Sequence, residues 1–199
     1  MRIPPKKMTQ RSSKVWEGLK EGFAYVSGFA PIRSLLLLLA LVSLMGMPHM
    51  VLMPVFAKNI LHGGPNALGF LTGAGGLGAL LAAIYLASRS TILGLGKRIL
   101  FAVILFGFGL VIFSFSRVLW LSLVFTLVVG FGQMVQMASS NTILQTIVDD
   151  DKRGRVMSYY GMSFMGMMPF GSLLAGLLAS KIGAPITVTI GGIACLVGA

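Results

Sequence analysis

GFGQMVQMASSNTILQTIVDDDKRGRVMSYY, residues 130–160, decides how this chain folds. The first half is an apolar helix carrying a stripe of amides and hydroxyls; the second half opens with three acids and three bases. At helical spacing Gln133, Gln136 and Ser140 share one face, and Asn141 and Gln145 form a neighbouring i,i+4 stripe. Amides turned to lipid would waste their hydrogen bonds, so the stripe is expected to face other helices or a wet cavity.

The rest of the chain is mostly hydrocarbon. Of the 199 residues 56% are hydrophobic and only 11% charged, and the mean hydropathy is +0.89. Apolar runs of this length exceed what a water-soluble core buries, which points to an all-α, polytopic membrane protein. Twenty-six glycines suit helices that pack closely in lipid. The net charge of +11 raises nucleic-acid binding, but the bases are scattered between apolar runs, with no basic face interleaved with aromatics. Cys195 is the single cysteine and permits no intrachain disulfide. The amino terminus lacks the apolar core of a signal peptide.

Hydropathy divides the chain into a linker, residues 1–31, and a bundle, residues 32–199, with spans at about 34–56, 67–87, 99–114, 119–148, 156–180 and 186–199. In the linker Val15, Leu19 and Val26, with Trp16 and Phe23 beside them, suggest a short helix on the membrane surface. A solvated linker is the alternative. The first span covers roughly 34 Å, enough for a hydrocarbon core of about 30 Å. The fourth is longer than the bilayer needs, so its last turns are expected to protrude. The sixth covers only about 21 Å, so the chain is expected to stop within it.

Charge assigns sides. With the amino terminus in the cytoplasm and six alternating spans, thirteen of the sixteen lysines and arginines fall inside and only Lys58, Arg117 and Lys181 outside. Such a bias is the positive-inside signature of a multi-pass protein of the cytoplasmic membrane. LLAAIYLASR at Leu80–Arg89 also echoes LLAGLLASK at Leu173–Lys181, as a 3+3 inverted repeat would. Chance likeness between Leu/Ala-rich helices explains the echo equally well.

Within the spans Pro48, Pro54 and Pro169 are expected to bend their helices. His49, between two of these breaks, is the only ionisable side chain deep in any span. It is either a neutral ring bonded to a carbonyl freed at the kink or a cavity-lining, proton-sensitive group. Gly69, Gly73, Gly78, Gly171 and Gly176 are expected to let backbones approach closely. GAGGLG is no dinucleotide fingerprint, since no strand precedes it and no acid follows in a βαβ frame. No span holds an acid pair, a metal-spaced histidine cluster or a nucleophile with its base, so neither an enzyme, a metal site nor a cofactor is expected. Clustered methionines (Met45, Met47, Met50; Met162, Met165, Met167, Met168) suit either helix interfaces or a large, varied substrate.

RIPP at Arg2–Pro5, EGLKEGFAYV within 17–26, and LMPVFAKNILHGGPNALGFL at Leu52–Leu71 extend these readings to a family, together with QMASSNTILQTIVDDDKRGRVMS at Gln136–Ser158 and PFGSLLAGLLASKIGAP at Pro169–Pro185. With the six-span, inside-basic layout they resemble the carboxy-terminal half of a major facilitator superfamily (MFS) transporter, in the branch of the enterobactin exporter and macrolide-efflux proteins. The resemblance implies a partner bundle of six spans, a central cavity for a small drug-like or siderophore-like molecule, and alternating access with proton coupling. Gln133, Gln136 and Asn141 then become cavity candidates with His49 across from them, or else hydrogen-bond links between helices. Asp149, Asp150, Asp151, Arg153 and Arg155 become candidates for a cytoplasmic gate, or else topology signals and helix caps. A membrane scaffold, which needs no polar stripe, and an inactive transporter fragment are the competing functions.

Overall fold

The computed structural model describes residues 22–89 and 94–199. Most of the expected linker, including Val15, Trp16 and Leu19 of its surface helix, lies outside the described residues, as do residues 90–93 of the basic loop. No strand occurs among the described residues. After a short helix over residues 22–28, the helices form six rods: α1 (Ala30–Ile60), α2 (Gly64–Ala87), α3 (Leu95–Phe115), α4 (Leu119–Ile147), α5 (Asp150–Ile182) and α6 (Ala184–Gly198). The first five are long and apolar enough to cross a membrane, while α6 is apolar but shorter. The chain is an all-α polytopic membrane protein.

Several rods start earlier than hydropathy suggests, α1 at Ala30, α3 at Leu95 and α5 at Asp150. Hydropathy stops at a charge, but a helix does not. Asp149 precedes α5 and its carbonyl accepts from the Lys152 and Arg153 amides at 3.0 and 2.9 Å, while Asp150 and Asp151 occupy the first turn. Carboxylates there complement the positive end of the helix dipole, so the charged run extends α5 instead of interrupting it.

The prolines do not break their rods, because π turns absorb them. A proline lacks an N–H, and its ring collides with the carbonyl four residues earlier. For Pro48 and Pro169 those carbonyls belong to Leu44 and Met165, which lie in the π turns Val42–Gly46 and Met162–Gly166. The Met47 amide closes the first turn by bonding the Val42 carbonyl at 3.0 Å. Pro54 sits within a short α segment, and a third π turn, Phe56–Ile60, follows it. In hydrocarbon such local readjustment is what keeps backbone groups paired.

Packing follows a regular plan. The main partners of α4 are α2 and α3, those of α1 are α5 and α6, and α3 also packs on α6. Exchanging α1 with α4, α2 with α5 and α3 with α6 returns these same main contacts, as a 3+3 repeat requires. Small residues line these crossings. A Cβ on Gly78 would strike the Leu127 backbone, one on Gly130 the Gly75 backbone, and one on Gly171 the Leu44 carbonyl. Gly107 and Gly192 face each other across α3 and α6, a Cβ on either lying 2.8 Å from the other's carbonyl oxygen. Gly183 (φ 85°) reverses the chain between α5 and α6 in a conformation that side chains disfavour.

Phe56, Phe106 and Phe113 are fully buried at the centre, and the rings of Phe56 and Phe113 stand 4.7 Å apart. Around the outside Trp120, Leu173 and Phe101 are 78%, 69% and 63% exposed. In water such a shell would cost about 25 cal/mol for each Å² left wet; lipid removes that cost.

Candidate substrate cavity

The middle of α1, between its two π turns, borders a cavity. A space of about 290 Å³ opens between α1, α2 and α4, with His49 on the first and Gln133 on the last among its lining residues. Thr72 and Gly76 of α2, both exposed, bring it to the surface of the bundle. Four methionines share its wall with small and apolar residues: Met50 and Met53 from α1, Met134 and Met137 from α4, each pair spaced i,i+3.

His49 is buried, and its ring meets Phe106 edge-on at 5.9 Å. Its Nδ1 lies 2.7 Å from the Gly46 carbonyl oxygen. A carbonyl only accepts, so Nδ1 carries the hydrogen and donates it. His49 thus bonds a carbonyl at the end of the first π turn and also lines the cavity. In the neutral ring Nε2 is left as an acceptor.

The polar stripe of α4 divides. Gln133 lines the cavity, whereas Gln136 does not and is only 2% exposed. Three residues along a helix turn the side chain by about 300°, which leaves it some 60° short of its starting direction. That rotation carries Gln136 into the packed interior; Ser139 and Ser140, further along, are buried too, and the Gln136 Nε2 and both serine hydroxyls have no hydrogen-bond partner among the described residues. Gln136→Leu is accordingly expected to leave thermal stability unchanged or raise it slightly, because an unpaired buried amide costs about 1–3 kcal/mol. A clear fall in the unfolding midpoint would show that the amide has a partner. Asn141 lies further along and accepts a 2.5 Å bond from Gln145 Nε2 on its own helix. It too is outside the cavity lining.

The charged run at the start of α5 pairs locally. Arg153 bonds Asp150 at 2.5 Å and Lys152 approaches Asp149 at 3.8 Å, both i,i+3 contacts on one helix. Asp149 also accepts a 3.3 Å bond from the Tyr25 hydroxyl, and the Lys152 ammonium sits 4.6 Å from the centre of the Tyr25 ring. Asp151 and Arg155 are exposed. These contacts tie the helical residues 22–28 to the head of α5.

Of the glycines singled out in the sequence, Gly78 and Gly171 sit at helix crossings. Gly69, Gly73 and Gly176 have open space where a Cβ would stand. Gly69 and Gly73 instead line an apolar groove of about 710 Å³ beside Trp120 and Leu127. Sequence reasoning missed Thr72, Gly76, Met53, Met134 and Met137 as cavity residues. The paired M-x-x-M spacing on two spans was the available signal. The exposed Met162 and Met165 of the other methionine cluster are on α5, away from the cavity lining.

Six apolar rods crossing at glycines around a part-polar cavity define the class of polytopic membrane proteins that includes the solute transporters. The sequence profile of the family described as transmembrane secretion effector matches residues 2–199. The chain belongs to that family, a branch of the MFS transporters. It is 30% identical to the multidrug efflux pump Tap of Mycolicibacterium fortuitum over 87% of its own length and 42% of that protein. It is 26% identical to the staphyloferrin A transporter of Staphylococcus aureus over 82% of its own length and 41% of that protein. The chain thus spans about two fifths of these curated relatives. No solved structure matches it significantly.

Proposed function

We propose that this chain is the carboxy-terminal six-helix bundle of a proton-coupled exporter that moves small drug-like or siderophore-like molecules by alternating access. A second six-helix bundle closes the exposed side of the cavity. The observation that carries this reading is the cavity itself, lined by an ionisable ring beside Pro48 and a π turn of one span and by an amide of another. A scaffold would need only the glycine crossings. The open apolar groove at Gly69 and Gly73 is a surface on which a helix of the other bundle can lie. His49 supplies the proton site, being the one histidine or charged residue near the middle of a described span.

The test is export from proteoliposomes containing the gene's full-length product. Export is expected to collapse with the proton gradient, and His49→Gln is expected to uncouple it without lowering the inserted amount. Export by that variant that still collapses with the proton gradient, as in the native protein, would refute the proton role. The charges at Asp149, Asp150, Asp151, Arg153 and Arg155 form the cytoplasmic gate, separating and re-forming as the inner side opens. One exposed pair is worth about 0–1 kcal/mol, so only the network can bias the two states. Replacing Arg153 and Arg155 together by alanine is expected to slow export several-fold at unchanged insertion (roughly 1 kcal/mol of lost bias). Unchanged export would leave these residues as topology signals.

A further inference from the structure

We infer that this wall of the cavity selects uncharged, flat, polarisable ring systems bearing an N–H or O–H donor, and rejects oxyanion-rich chelators and permanent cations. The inference rests on the exporter reading for the identity of the cavity and narrows its substrate class.

Four observations carry it. First, no lysine, arginine, aspartate or glutamate lines the cavity. Chelators that grip ferric iron do so through anionic oxygens, and burying such groups without a counter-charge is strongly unfavourable. A bare cation meets the same obstacle, because the lining has neither a carboxylate nor a tryptophan, tyrosine or phenylalanine ring to face it. Second, four thioethers line the space, two from each of two helices. Thioether sulfur is polarisable, packs well against aromatic ring edges and adapts its rotamer to the outline of the guest. Third, Nδ1 of His49 is already committed to the Gly46 carbonyl, and Nε2 bonds no group among the described residues. The neutral ring therefore offers an acceptor, and the complementary ligand group is a donor. Gln133 adds an amide that serves either role. Fourth, about 290 Å³ lies on this side of the cavity alone, room enough to seat a flat system of two or three fused or linked rings against this wall.

The test uses the full-length product in lipid nanodiscs with three fluorescent probes. N-phenyl-1-naphthylamine is neutral, flat and carries one N–H. 8-Anilino-1-naphthalenesulfonate has the same rings and N–H plus a sulfonate. Ethidium is flat and cationic. Specific binding is the saturable part lost in Gly76→Phe, a side chain that fills the cavity from a position with nothing within 4 Å of its Cβ. The neutral probe is expected to bind at least about tenfold more tightly than either charged probe. Thr72→Lys, on the exposed rim and bonded only to its own helix, is expected to shift preference toward the sulfonate. Stronger specific binding of the sulfonate or of ethidium to the native protein would overturn the inference, as would no specific binding of the neutral probe. Selective neutral binding by a protein that exports nothing would uphold this inference and sink the exporter reading.

Discussion

Gly171→Val is expected to abolish recovery of the folded bundle, while Gly176→Val, five residues along the same helix, leaves it intact. On α5 the two glycines look alike in sequence. A Cβ at Gly171 would collide with the Leu44 carbonyl and lie 2.9 Å from the Pro48 ring, whereas Gly176 has open space. Neither obstacle yields easily. Leu44 is backbone inside the π turn, and Pro48 is fixed by its own ring. Ordinary overpacking costs about 1–3 kcal/mol, and a collision with backbone lies at or above the top of that range. The readout is the monodisperse fraction and the unfolding midpoint in detergent. Equal behaviour of the two variants would mean that α5 and α1 do not cross at Gly171.

Reporters fused at His62 and at Asp150 are expected to light up on opposite sides of the membrane, the first outside and the second in the cytoplasm. His62 lies between α1 and α2, and Asp150 begins α5, so three rods separate them. An odd number of crossings puts the two at opposite faces, and the thirteen inner against three outer bases choose which face is which. An exported phosphatase should be active only at His62, and a cytoplasmic fluorescent protein should glow only at Asp150. Signals in one compartment would refute the six-rod layout; a swap would refute only its orientation.

Much of the fold was legible because lipid imposes one rule on every span. A backbone in hydrocarbon must pair its own polar groups, so each long apolar run becomes a helix and hydropathy alone counts the helices. Their ends were less legible. Asp150 to Arg155 reads as a loop by charge, yet belongs to α5, because carboxylates at a helix start stabilise it. The prolines were read as bends, and the compensating π turns have no sequence signature beyond them.

The cavity was half legible. His49 and Gln133 stood out as polar atoms in hydrocarbon. Gln133 and Gln136 point only about 60° apart on α4, so which of them lines the cavity depends on how α4 is turned against its neighbours, which a periodicity argument does not give. Thr72 and Gly76 enter from α2, remote in sequence and unremarkable in composition.

The sequence by itself determined the medium, the helical class, the six rods and the polar residues that must find partners, because each of these follows from local transfer energies and backbone pairing. Only the tertiary structure decided which glycines are crossings and which are open, which amide faces the cavity and which is sealed in the interior, and how four methionines from two spans come to share one wall. Those outcomes depend on the rotation and depth of one helix against another, and small differences in packing among all six rods set them together.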